Sequence, residues 1–161
     1  LTVAIEVGLL IACVLFMKRV METTDISVIK NEIDPNNESD LEVHEEHLMV
    51  PEGVEVYEIN GPYFFGIATK FEEIMSELGD RPKVRIIRMR KVPFVDSTGI
   101  HNLTNLCEMS KKENIHIVLS GVNEKVHKVL EKAGFYDLLG EDNICPNINV
   151  ALEKAKAIVE K

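Results

Sequence analysis

Residues 84–100 read VRIIRMRKVPFVDSTGI, and the parsing of this stretch decides the fold. Val84-Arg85-Ile86-Ile87-Arg88-Met89 is a short β-branched run with the composition of a central strand. Ile100, Leu103, Leu106, Cys107 and Ser110 then recur at the spacing of an amphipathic helix. Between the two lies Val92-Pro93-Phe94-Val95-Asp96-Ser97-Thr98-Gly99, which must be a strand-to-helix corner. Asp96 and Ser97 have short oxygen-bearing side chains that can cap the free N–H groups of the helix that follows. Gly99 lets the chain pack closely at the bend. A helix N-terminus favours negative charge, so a phosphate on Ser97 would be electrostatically welcome there.

Working outward, the same alternation continues on both sides. Upstream, Val54, Val56 and Ile59 fall among Glu55 and Glu58, the pattern of a half-buried strand. Asn60-Gly61-Pro62 is a turn signal, and Tyr63-Phe64-Phe65 reads as a second short strand. Ala68, Phe71, Ile74, Met75 and Leu78 predict a helix stopped by Gly79. Downstream, Ile115–Leu119 predicts a strand, and Val126, Val129, Leu130 and Ala133 predict a helix closed by Gly134. Ile144 starts a last short strand, and Val150 to Glu160 a final helix. The expected fold class is α/β, a mixed and mostly parallel sheet with helices packed against it. Residues 84–89 should be central, with 115–119 beside them in parallel and 54–60 antiparallel to a neighbour. Helices should start near Ser97 and Asn123, with Leu103, Leu106, Val126 and Leu130 turned inward.

The first fifty residues are of another kind. They carry 10 acidic and 3 basic side chains, whereas residues 51–161 carry 17 and 15 and are nearly neutral. Residues 1–17, LTVAIEVGLLIACVLFM, are apolar except for Thr2 and Glu6, and Lys18-Arg19 follows at once. A secretory signal has its positive charge before the apolar run and a small-residue cleavage site after it, and neither is present. A core helix would show a polar face. The remaining reading is the distal part of a transmembrane helix over residues 1–19. Seventeen residues span roughly 25 Å against a ~30 Å hydrocarbon core, and Leu1 rather than Met suggests a piece of a longer protein. The positive-inside tendency then places residues 20–161 on the cytoplasmic side of the inner membrane. Residues 20–50 read as an acidic linker, although DISVIK could pair as a strand, and residues 51–161 read as the domain proper.

Several function classes lose support on composition alone. No basic footprint for nucleic acid is present. Cys13, Cys107 and Cys145 are sparse and odd in number, which argues against disulfides and zinc. His44-Glu45-Glu46-His47 has i,i+3 spacing rather than the i,i+4 of HExxH, so a solvated acidic stretch is the better reading. Phosphate loops of the GxxxxGK or GxGxxG kind are absent, and no nucleophile–base set stands out around His101, His116 or His127. The expectation is a protein that is not an enzyme and needs no cofactor or metal. Arg85, Arg88, Arg90 and Lys91 concentrate charge near the end of the central strand, where ligands of open α/β sheets gather. Arg88 and Arg90 are therefore candidate anion or nucleotide contacts. The competing and favoured reading is that these side chains snorkel and pair with surface acids.

The Asp96-Ser97-Thr98-Gly99 corner after an apolar strand resembles that of STAS domains, found in anti-sigma-factor antagonists and at the C-terminus of SulP transporters. Three further pieces resemble the transporter branch, and they come in the right order. They are Val56-Tyr57-Glu58-Ile59-Asn60-Gly61-Pro62-Tyr63-Phe64-Phe65-Gly66 with its GP-FFG turn, residues 84–94, and Glu6-Val7-Gly8-Leu9-Leu10 continuing to Lys18-Arg19. The resemblance implies a non-catalytic regulatory domain of a sulfate-type anion transporter. Its partners would be the membrane domain of the same transporter, a second copy in a homodimer, and a cytosolic protein or kinase. The alternative is a free antagonist switched by phosphorylation at Ser97, the residue that matches the antagonists' phosphorylated serine. The second glycine usual in antagonists is missing here, since Ile100-His101 follows Gly99, and many transporter members carry Ala where this chain has Ser97.

Overall fold

A computed structural model describes residues 1–29, 32–33, 48–63, 70, 73–74, 76 and 81–161. The central element is β5 (Val84–Lys91), third in a five-stranded sheet of order β1-β4-β5-β6-β7. Its neighbours β4 (Val54–Asn60) and β6 (His116–Ser120) run parallel to it, and β7 (Ile144–Cys145) runs parallel to β6. The outer strand β1 (Asp25–Ile29) pairs antiparallel with β4, from Asp25 opposite Asn60 to Ile29 opposite Val56. Residues 25–29 of the DISVIK piece are thus part of the sheet. A separate two-stranded ribbon joins β2 (Glu32–Ile33) to β3 (Leu48–Met49).

Helices cover both faces, so the strands turn apolar side chains to both sides of the sheet. On one face, α2 (Ser97–Lys112), α3 (Glu124–Lys132) and α4 (Phe135–Leu139) turn Leu103, Leu106, Val126, Leu130, Phe135 and Tyr136 onto Tyr57, Ile59, Ile87, Met89 and Leu119. On the other, α5 (Ile148–Val159) lays Ile148, Ala151, Leu152 and Ala155 over Val54, Val56, Val84, Ile86 and Val118. Burying each Val, Leu or Ile contributes about 1.5–3 kcal/mol, and the small Ala151 and Ala155 let α5 lie close to the sheet. The period-two alternation of the strands sends even-numbered β5 residues toward α5 and odd-numbered ones toward α2.

Two expectations need adjustment. The acids of β4 were expected on a solvated side, yet Glu55 and Glu58 are buried, because helices close both faces and arginines of β5 lie opposite in register. The helix α4 was not foreseen, since five residues show too little of a 3.6-residue period to be recognised. Only Tyr63 of the second short strand is described, as a single parallel bridge to Val95. Phe64, Phe65, Ala68, Phe71, Met75, Leu78, Gly79 and the His44–His47 group lie outside the described residues. The helix α1 (Thr2–Thr23) exposes Val3, Ile5, Leu9, Leu10, Val14, Leu15 and Phe16. No helix among the described residues is long and apolar enough to cross a membrane.

Candidate functional site: the corner after the central strand

Three segments meet beyond the C-terminal ends of β4, β5 and β6. After Lys91 the chain turns on a Val92 N–H to Met89 carbonyl bond and runs to Asp96 alongside the turn that follows β4. Gly61 N–H donates to the Lys91 carbonyl, Tyr63 N–H to the Phe94 carbonyl and Asp96 N–H to the Tyr63 carbonyl. From the third segment, Asn123 Nδ2 donates to the Val92 carbonyl at 2.5 Å while its Oδ1 accepts from Val126 N–H at 2.9 Å. One amide therefore caps α3 and pins the corner. Nothing in the local sequence marks that second role; only the fold brings residues 92 and 123 together.

At the start of α2 the cap is Asp96, whose Oδ1 accepts from Gly99 N–H at 2.6 Å. Ser97 and Thr98 are the first helical residues, and Ser97 is exposed. Gly99 is buried so tightly that an added Cβ would stand 2.5 Å from the Tyr63 carbonyl oxygen and 2.9 Å from Val95 Cγ1. Its role is close approach of helix to turn. Phe94, two residues before the cap, is about half exposed.

The arginines do not form one cluster. Arg85 lies in the first half of β5 on the α2 face, 3.7 Å from Glu55, whose other contact is a 2.7 Å hydrogen bond from the Tyr57 hydroxyl. Burial beside that carboxylate holds the Tyr57 phenol well above its ordinary range. Arg88 lies on the α5 face and is buried, 3.6 Å from Glu58, and Arg90, partly exposed, reaches the same carboxylate at 3.8 Å. Burial pulls Arg88 below the usual guanidinium range while Glu58 pushes it back. Arg88 is therefore paired in the interior, not at the surface. Among the described residues no set of three His, Cys, Asp or Glu side chains could hold a metal ion. A cavity of about 300 Å³ opens at the opposite end of β6, lined by Cys107, Lys111, Ile117 and Leu138 among others.

A family model for the STAS domain matches residues 47–151. The chain belongs to the STAS family. A sulfate transporter family protein from Wolinella succinogenes superposes with a TM-score of 0.68 at 42% identity, over 71% of this chain and 93% of that one. The SulP transporter STAS domain from Vibrio cholerae gives 0.62 at 37% identity, over 70% and 88%. Sulfate transporter 1.2 of Arabidopsis thaliana is 28% identical in an alignment of 166 positions that covers 94% of this chain and 25% of that protein. This STAS chain thus spans about a quarter of the length of the curated relatives it matches.

Proposed function

We propose that this STAS domain is the cytoplasmic regulatory and interaction module of a SulP-type anion transporter, without catalytic activity of its own. In this reading residues 1–19 end the last transmembrane helix, and the rest of that helix and the other spans precede them. The observation that carries it is α1. Apolar side chains stand exposed around a helix that directly precedes a STAS sheet, and so much unpartnered apolar surface signals a membrane or protein contact. The corner at residues 92–99 is then the part that relays partner contacts, with the membrane domain, a second copy or a cytosolic protein as the partner. The test is membrane partition. Residues 1–161 should stay with membranes after an alkaline carbonate wash, and a chain lacking residues 1–19 should be released. A full chain that remains soluble and monodisperse without detergent would overturn the reading.

The exposure of Ser97 at the first position of α2 favours a second reading for that residue alone. A kinase can reach it, and a phosphate there adds roughly −1.5 to −2 charges at a helix N-terminus. Regulation by phosphorylation would then act on whatever docks over the corner.

A further inference from the structure

Strand pairing lines up one row of side chains on the α5 face of the sheet. Glu58 of β4 lies opposite Arg88 of β5, Arg88 opposite Ser120 of β6, and Ser120 opposite Cys145 of β7. All four are buried, Ser120 completely. Arg88 Nη1 and Arg90 Nη2 approach one and the same oxygen, Glu58 Oε1, at 3.6 and 3.8 Å. Such separations attract as charges but exceed hydrogen-bond length. Among the described residues neither Glu58 Oε1 nor Ser120 Oγ has a hydrogen-bond partner. Of the five such buried side-chain atoms among the described residues, three (these two and Asn60 Oδ1) lie at this end of the sheet. Buried polar groups are normally partnered, so the concentration here asks for an occupant.

The chemistry of the row specifies that occupant. Two guanidinium groups face one carboxylate, an excess of one positive charge, and they and the Ser120 hydroxyl supply donors. Glu58 Oε1, by contrast, requires a donor from the occupant. The Arg90 side chain, 40% exposed, gives the row a solvent side. We propose that this row binds a small oxyanion that retains a proton, such as hydrogen phosphate or bicarbonate. Its bare oxygens accept from Arg88, Arg90 and Ser120, and its O–H donates to Glu58. A fully deprotonated oxyanion such as sulfate has no hydrogen for Glu58 and meets it as a like charge, so the site discriminates between the two. This inference stands apart from the membrane reading, and its test does not depend on it.

The 161-residue chain, held in detergent at constant ionic strength and pH 7.5, is titrated separately with phosphate, bicarbonate and sulfate while backbone amide shifts are followed. Phosphate and bicarbonate should give saturable shifts at Arg88, Arg90 and Ser120, with sulfate weaker by about tenfold or more. Glu58→Gln replaces the acceptor by an N–H donor and should reverse the order, bringing sulfate to at least the affinity of phosphate. Arg90→Ala, at the solvent side, should keep the fold and weaken phosphate and bicarbonate together. Absence of saturable shifts at these residues, or equal binding of sulfate and phosphate by the unmodified chain, overturns the proposal. Should Glu58→Gln fail to fold, the comparison of anions on the unmodified chain and on Arg90→Ala decides it.

Discussion

The corner shows how three nearby residues divide their duties. Asp96 supplies the cap bond to Gly99 N–H, Ser97 stands outside it, and Gly99 fills a space that admits no side chain. Asp96→Ala should therefore cost about 0.5–2 kcal/mol in urea unfolding, whereas Ser97→Ala should change stability by less than about 0.5 kcal/mol. An equal loss for both variants would show that Ser97 shares the cap. Gly99→Ala should be costlier than Ser97→Ala, about 1–3 kcal/mol, because its methyl group meets the Tyr63 backbone. Ser97→Asp should leave the melting temperature nearly unchanged, since the helix N-terminus favours the new charge while Asp96 opposes it. A change in partner binding or transport beyond that stability effect is what a regulatory serine requires. The cap, the glycine and the exposed serine were all legible as a corner in the sequence. Which oxygen does the capping was not, because Asp96 and Ser97 are both competent and only backbone geometry selects between them.

Among the elements, α5 and β1 contribute in different ways. Among the described helices α5 covers one sheet face, within the second core cluster, and Ala151 sits fully buried against it. Ala151→Leu should cost about 1–3 kcal/mol by overpacking, read as a lower urea midpoint at unchanged slope. The strand β1 forms an edge of the sheet, burying Ile26 and pairing with residues 56–60 of β4. A chain beginning at residue 24 should unfold cooperatively. One beginning at residue 51 loses β1 and should be less stable by about 2 kcal/mol or more. Equal stability of the two truncations would place β1 outside the cooperative unit. The sequence showed β1 only as a short apolar piece inside an acidic stretch, and a five-residue strand becomes recognisable only when its partner is known.

For the molecule as a whole, burial sets an upper pH limit on stability. Burial pushes the Cys107 thiol up to about 12, with Glu108 adding to it, and the Tyr136 phenol up to about 12, with Glu131 adding to it. Each group is neutral when protonated, so a raised native value means that the unfolded chain releases its proton first. Above the ordinary thiol value near 9 the unfolded state binds fewer protons, and stability falls as pH rises toward 12. The contribution is fully present below that window. For each proton the slope approaches about 1.4 kcal/mol per pH unit. Urea unfolding at pH 7 and at pH 10.5 should show this loss, and Cys107→Ala should reduce its slope by up to one proton. An alanine variant with the same alkaline slope would show that the thiol does not take part.

The strands at residues 84–89 and 115–119 and the inward faces of α2 and α3 follow from hydrophobic period, because burial is what spaces apolar residues along a chain, and their parallel pairing follows from the helix between them. The break between an apolar N-terminal run and a nearly neutral domain is equally a property of composition. Tertiary structure alone decided the fate of the charges. Glu55, Glu58, Arg85 and Arg88 read locally as residues for solvent, and each is buried because its partner lies on the next strand, at a distance along the chain that no local pattern encodes. The same holds for Asn123 on the Val92 carbonyl and for the row from Glu58 to Cys145, since strand register, and not sequence spacing, sets which side chains become neighbours.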